Sequence, residues 1–428
     1  MIKIKEVGQT DLFFAKGERK MNAKEMMKIF EDTAYVRMGG SAEELRAAEY
    51  LQGYCKQLGM DATIEAFDVD MATMERATLT VDGREIPCKG YFCAGSGEVE
   101  APFYYLRSTD AYSLSLCKGK IVMVDGYMGY WLYQDILQNG AVGFITYDGD
   151  ANYADCDIDQ RELRTYVSKG NKLLGVNINA KSAIELIRTD AKTARISLSQ
   201  REYMGKSHNV VLDLPGEIPE YIVLTAHYDS TSLSNGAYDN MSGSVGILAI
   251  AEHFAKNPHR YGMRFIWCGS EERGLLGAKA YCAAHEEELK NVVMNINLDM
   301  IGCIMGKFIA CATAEEAMVQ YLKYFSSETG FGVSAYQDVY SSDSTPFADK
   351  GIPAVSFARV APRSTATIHN SYDTIAVMKG EQMEQDVQFI IAFTERMVNA
   401  KRCPVAREMP GNMKEKLDNY LGRKRDKT

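Results

Sequence analysis

The sequence predicts an α/β protein in which a mostly parallel mixed sheet is flanked by helices and carries an inserted smaller unit. Three observations lead there. From residue 209 onward, short β-branched apolar runs alternate with amphipathic helical stretches, as in parallel strands buried on both faces. A second strand–turn–helix series fills 86–199. The side chains able to do chemistry fall where apolar strands end, the edge at which open α/β sheets carry their sites.

In chain order, "SAEELRAAEYLQGYCKQLG" predicts an amphipathic helix over 41–59, with Ser41 and Glu44 in capping-box spacing and Gly59 as its stop. A strand, "DATIEAFDVD", follows. Near residue 85 the texture changes to "CKGKIVMVDG", "WLYQDILQNG", "AVGFITYD" and "LLGVNINAKSAIELIR". These strands and helices lack any cluster of histidine, cysteine or carboxylates, so the unit is expected to act as a lid or access element. Then come strand "NVVLDLPG", strand "YIVLTA", helix "SGSVGILAIAEHFAK", strand "MRFIWC", helix "LLGAKAYCAAHEEELK" and strand "VVMNINLD". Next are "FIACA", the helix "AEEAMVQYLKYFSSE", strand "PAVSFA" and a long helix from "EQMEQDVQ" onward. The expected division is 1–85 as the first part of the catalytic domain, 86–199 as the insert and 200–400 as the main catalytic domain. A basic segment at 401–428 either docks or frays.

Composition narrows the function classes. The 428 residues hold 46% hydrophobic and 25% charged side chains, ordinary for a soluble globular protein. A net charge of −9 argues against nucleic acid as a partner. No apolar stretch is long enough for a membrane span. The opening "MIKIKEVGQTDLFFAKG" lacks a signal-peptide core. The ten cysteines are scattered without a CxxC pair, which with that opening predicts a cytoplasmic protein with reduced thiols. The insert and the basic C-terminal segment are compatible with a homodimer. His208, His253, His259 and His285 are expected to be incidental or at the surface.

His227 and Asp229 follow "YIVLTA", Glu271 and Glu272 follow "MRFIWCGS", and Asp299 ends "VVMNINL". Asp239 lies between strand and helix, and His369 sits in "TATIHNSYDT" after "PAVSFA". Imidazoles with carboxylates suit zinc or a similar divalent ion, and a carboxylate can bridge two ions. Asp229, two residues from His227, can orient that imidazole. Of two adjacent glutamates, one can ligate while the other serves as a general base.

The set "HYDS", "GAYDNMSG", "EERGLLGAKAY", "NLDMIG", "SDSTPF", "KGIPAVSF" and "IHNSYDT" resembles the co-catalytic di-zinc aminopeptidases. That group includes leucyl aminopeptidases and relatives of glutamate carboxypeptidase and the transferrin receptor. The likeness spans about 205–400 plus the helix near 41–59, and 86–199 resembles a protease-associated domain. The resemblance implies two divalent metal ions, zinc by preference, and hydrolysis of peptides with a free N-terminus. His227 and Asp299 would hold one ion and Glu272 and His369 the other, with Asp239 bridging. Glu271 would be the general base, Asp229 the orienter of His227, and Asp343 a neighbour hydrogen-bonded within the site.

The chain departs from the family pattern at Tyr238, Ser344, Asn370–Ser371 and in its missing signal peptide. Tyr238 and Ser344 are expected to reshape the pocket. Two alternatives stay open. One is a carboxypeptidase or dipeptidase (or a single-zinc glutaminyl cyclase) on the same core, for which Arg359 and Arg363 are candidate carboxylate binders. The other is a receptor-like binding protein without activity.

Overall fold

A computed structural model describes residues 20–151 and 158–425; the expectation drawn from the first seventeen residues lies outside them. Fourteen strands join in one sheet. From one edge the order is Ser334–Gln337, Lys307–Thr313, Ala354–Val360, Val292–Leu298, Ile218–His227, Tyr261–Cys268 and Thr193–Leu214. It continues through Gly97–Tyr105, Ile121–Met123, Gly143–Asp148, Leu174–Asn179 and Cys88–Gly90. Four strands matter for the site. Ile218–His227 runs parallel to Tyr261–Cys268 on one side and to Val292–Leu298 on the other, and Val292–Leu298 runs parallel to Ala354–Val360. Their carboxyl ends therefore share one edge.

These strands form because their sequences are apolar at consecutive positions. Ile222, Val223 and Leu224 are all fully buried, which requires helices on both faces. The helix Ser242–Phe254 supplies one cover and is buried nearly all round. Its approach depends on Gly243, where a Cβ would lie 2.1 Å from the Leu298 carbonyl oxygen. The helix Ala42–Gln57 starts as expected, with the Ser41 side chain accepting the Glu44 N–H at 3.1 Å. Glu44 itself turns inward instead of closing the capping box, accepting from Ser207 and from the Gly40 N–H. The expected helix over 275–290 stops at Ala284. Three consecutive glutamates, Glu286–Glu288, oppose the negative end of a helix dipole there.

The two largest of four hydrophobic clusters among the described residues underlie the sheet. The larger draws on Met21–Ala62 and Val210–Val405, the smaller on Leu79–Leu198. The boundary expected at 199/200 falls inside one strand. Thr193–Leu214 and Ala62–Val81 pair antiparallel from Ala62↔Leu212 to Val81↔Ala194. One end of this ribbon feeds each core, and the polar middle, "REYM" at 201–204, is exposed between them. That polar stretch hides the strand's continuity in the sequence. The C-terminal segment docks: Met409, Met413 and Leu417 bury against Ala348, with a helix over Gly411–Tyr420.

A candidate two-metal centre at the carboxyl edge of the sheet

Each of the four parallel strands delivers one part of the site. His227 is the last residue of its strand, and Asp299 follows Leu298 directly. Glu271 and Glu272 lie just past Cys268, and His369 sits in the loop beyond Val360. Asp239 is carried by the turn Ala237–Met241, and its peptide bond to Asn240 is cis. Ser270, Met300 and His369 have positive φ values of 53°, 63° and 60°. Left-handed backbone at non-glycine residues is costly, and here it gathers where ligand-type side chains must be aimed.

The donor atoms form two groups that share Asp239. In the first, His227 Nε2 lies 3.2 Å from Asp239 Oδ1 and 3.7 Å from Asp299 Oδ1. In the second, His369 Nε2 lies 3.0 Å from Asp239 Oδ2 and 3.1 Å from Glu272 Oε2. The two oxygens of Asp239 thus face different imidazoles. Glu271 Oε2 stands 3.9 Å from His227 Nε2 and belongs to neither group. Asp229 Oδ1 is 3.4 Å from His227 Nδ1 and accepts the Glu271 N–H at 2.9 Å, while Oδ2 accepts the Glu272 N–H at 3.3 Å. One buried carboxylate therefore steers both the histidine and the glutamate pair.

These residues fit a pair of cations on an electrostatic test. Glu272 Oε1 and Asp299 Oδ1 are buried with no hydrogen-bond partner, and no lysine or arginine among the described residues pairs with the site carboxylates. Buried anions with only imidazoles as counter-charge are costly, and a divalent ion in each group would supply the rest. Proton affinities show the same imbalance. Burial, reinforced by Glu272, Asp343 and Asp299, lifts the Glu271 carboxyl well above its ordinary range. Glu272 is raised by burial too. The Glu272 carboxylate, with Asp239, pushes His369 up to about 12. Burial opposes the His227 imidazolium, yet Glu271, Asp229, Asp239 and Asp299 outweigh it and raise the ring's pKa.

The softer site candidates divide. Asp343 is fully buried beside the Cys268 thiol, with no N–H or O–H donor at either oxygen, and burial followed by Asp299 raises it to about 7. It neighbours the site, with His227 and then the Cys268 thiol opposing its rise. Tyr238 does not shape the pocket: its buried hydroxyl donates to the Arg359 carbonyl at 2.6 Å and accepts the Ala361 N–H. Ser344 is buried against Ser356, Oγ to Oγ 2.9 Å. Arg359 is not a carboxylate binder for substrate. Its guanidinium is held by Asp386, with Nε 2.8 Å from Oδ2, and by the Gly306 carbonyl. Arg363 is exposed and lies outside the cavity wall. The neighbourhood of the chain's other histidines is less incidental than expected. His259 is buried with Nδ1 2.6 Å from the Tyr261 oxygen, and His208 lies 3.4 Å from Glu44.

Sequence reasoning missed three supports. Arg37, wholly buried, donates to five carbonyls: Thr33, Tyr35, Tyr228, Asn235 and Gly236. It ties down the loop between His227 and Asp239, and burial lowers its pKa to about 10. Asp373 accepts the backbone N–H groups of Tyr238 and Asp239 at 2.8 and 3.1 Å. Asn240 joins the other side, donating to the Leu298 carbonyl and accepting from the Met300 N–H. The only sequence cue was that Asp373 and Asn240 sit inside the quoted motifs.

The centre opens into a cavity of about 1160 Å³. One wall is the loop from Ser364 to Tyr372 with Tyr340; the facing wall comes from Phe92, Tyr127, Gln160, Arg161 and Arg164, which flank or belong to the smaller core. His369, its side chain 48% exposed, faces this space. The family model described as Peptidase family M28 matches residues 209–394, the stretch that carries every donor just described. That stretch is an M28 peptidase domain.

Relatives extend the likeness beyond the M28 domain. Aminopeptidase YwaD of Bacillus subtilis (strain 168) is 27% identical over 399 residues, covering 86% of this chain and 82% of the relative. Two solved structures share the fold. BSAP, a zinc aminopeptidase from Bacillus subtilis, aligns over 92% of this chain and 100% of its own with a TM-score of 0.74 at 24% identity. An aminopeptidase from Aneurinibacillus sp. strain AM-1 aligns over 90% and 96% with a TM-score of 0.72 at 23% identity. No helix of the described residues is long and apolar enough to cross a membrane.

Proposed function

We propose that the protein is a zinc-dependent aminopeptidase that removes the N-terminal residue of peptides. One observation carries the reading: Asp239 presents one oxygen to each of two donor groups, while Glu271 stands beside both and joins neither. His227 and Asp299 would hold one ion and Glu272 and His369 the other, with Asp239 as a ligand common to both. Held there, two divalent ions would supply the acidity for a water, the polarisation of a scissile carbonyl and an anchor for a free α-amine. Glu271 takes the proton from the attacking water and returns it to the departing amine. Asp229 holds the Glu271 backbone and the His227 ring in position for this. The unit around the smaller core acts as a protease-associated insert, walling the cavity on the side facing the M28 domain. The described cysteines are unpaired and most are buried, which suits work in a reducing, cytoplasmic setting.

A pool of peptides, half with free and half with acetylated N-termini, tests the reading by mass spectrometry, with a chelator control. Loss of single N-terminal residues from the free half only, abolished by chelation, is the expected result. Trimming from C-termini irrespective of acetylation would overturn it.

A further inference from the structure

The C-terminal segment lies outside the M28 match, yet it is built into the cavity. Tyr420 ends the helix Gly411–Tyr420, lines the same cavity as Glu271 and Arg164, and shares a 2.6 Å hydroxyl contact with Ser341. Burial raises the Tyr420 phenol to about 12 against the opposing hydrogen bond from Ser341. The helix is fixed to the M28 domain by Met413 and Leu417 on Ala348 and by Lys416 on Asp338.

Beyond Tyr420 the chain crosses from one unit to the other within three residues. Arg423 grips Asp349 of the M28 domain in a bidentate pair at 2.5 and 2.6 Å. Arg425 grips Asp135 of the smaller unit at 2.7 and 2.7 Å and stacks over Trp131. Trp131 Nε1 donates back to Asn419, at 3.1 Å to its carbonyl and 3.0 Å to its side chain. Just before the two clamps, Gly422 has φ +70° and lies so close to Tyr130 that a Cβ would sit 2.5 Å from the ring. Each bidentate arginine pair is a directional contact, and two of opposite attachment make a tie.

We propose that residues 411–425 are part of the substrate site: they strap the M28 domain to the smaller unit, and Tyr420 positions the departing part of the peptide. The departing side is assigned because Tyr420 lines the same cavity as Glu271, which on the aminopeptidase reading returns the proton to the leaving amine. The inference rests on the aminopeptidase reading. A peptide bound there has backbone carbonyls within reach of a phenol, whereas an amino-acid amide ends before it.

The test compares an amino-acid amide with a tetrapeptide of the same first residue, using Tyr420→Ala, Tyr420→Phe, Arg425→Asp and the swap Arg425→Asp with Asp135→Arg. The ratio of kcat/KM for tetrapeptide over amide is expected to fall roughly five- to tenfold in Tyr420→Ala and Arg425→Asp, the worth of about one lost contact. The loss is expected in KM. Tyr420→Phe falls between, and the charge swap recovers the ratio. Parallel loss on both substrates, or no change in the ratio, overturns the inference. If the wild type cleaves neither substrate, the aminopeptidase reading fails by itself. Calorimetric binding of the uncleaved tetrapeptide to the same variants then decides the strap.

Discussion

The two units handle buried polar groups in opposite ways. In the smaller unit Thr146 and Asn177, on neighbouring parallel strands, join Tyr91, which follows the antiparallel strand Cys88–Gly90; they are linked hydroxyl to hydroxyl at 2.7 Å and hydroxyl to amide at 2.9 Å, and Asn177 then donates to Asp148 at 2.8 Å. Every member has a partner. In the M28 domain the corresponding strand ends carry His227, Asp299, Glu271 and Glu272, and several of their atoms have none. Both are buried polar clusters on strands of the same sheet, and only one calls for something from outside. A satisfied ladder holds a structure together, whereas carboxylates gathered with too little counter-charge prepare a place for cations.

That contrast can be broken experimentally, beginning where the effect is greatest. Glu271→Gln should lower peptide hydrolysis by about 10²–10⁴-fold while bound metal, read by atomic emission, stays at the wild-type ratio. Metal lost along with activity would place Glu271 among the ligands. Arg37→Met should cost about 3–5 kcal/mol in denaturant unfolding, because five carbonyls lose a buried charged donor. It should also lower metal content, since the loop joining His227 to Asp239 is freed. Phe144→Ala, at a fully buried ring of the smaller core, should cost a similar ~3–5 kcal/mol yet leave metal content intact. Equal metal loss in both variants would mean that the units do not differ as described.

Chelation gives a gentler comparison. The chain has two tryptophans, and each reports one unit. Trp267 is fully buried in the larger core, with Nε1 donating to the Ser244 carbonyl near the site, and Trp131 belongs to the smaller unit. In single-tryptophan variants, removing metal should lower the Trp267 melting transition by about 5 °C or more, as expected for losing a ligand held well above its dissociation constant. The Trp131 transition should move less. The smallest effect belongs to Thr146→Val, about 1 kcal/mol in stability with peptide hydrolysis unchanged. A large loss of activity there would give the ladder a role that its geometry does not.

Much of the candidate site was legible because its donor residues end strands, and strand ends can be read locally. His227 after "YIVLTA" and Asp299 after "NINL" are polar interruptions of apolar runs, and only one edge of a parallel sheet can receive them. Arg37 left no such trace. It lies in "AYVRMGG", a stretch without periodicity, and its carbonyl partners are as many as 199 residues away in the chain. Asp373 was visible as part of a motif, but its acceptance of the Asp239 N–H depends on how a loop returns to the site.

By itself the sequence determined the α/β class, the alternation of helices and strands, the separate texture of the stretch near 86–199 and the side chains that meet at the centre. Those features rest on local periodicity, turn chemistry and residue type. Tertiary structure alone decided that one ribbon runs through both cores, that Arg359 is used by Asp386 instead of facing substrate, and that the C-terminal segment clamps both units beside Tyr420. The physical reason is the same in each case. A charge or a polar stretch reads identically in the sequence whether water, another side chain or a ligand satisfies it, and only folding brings the partner that decides.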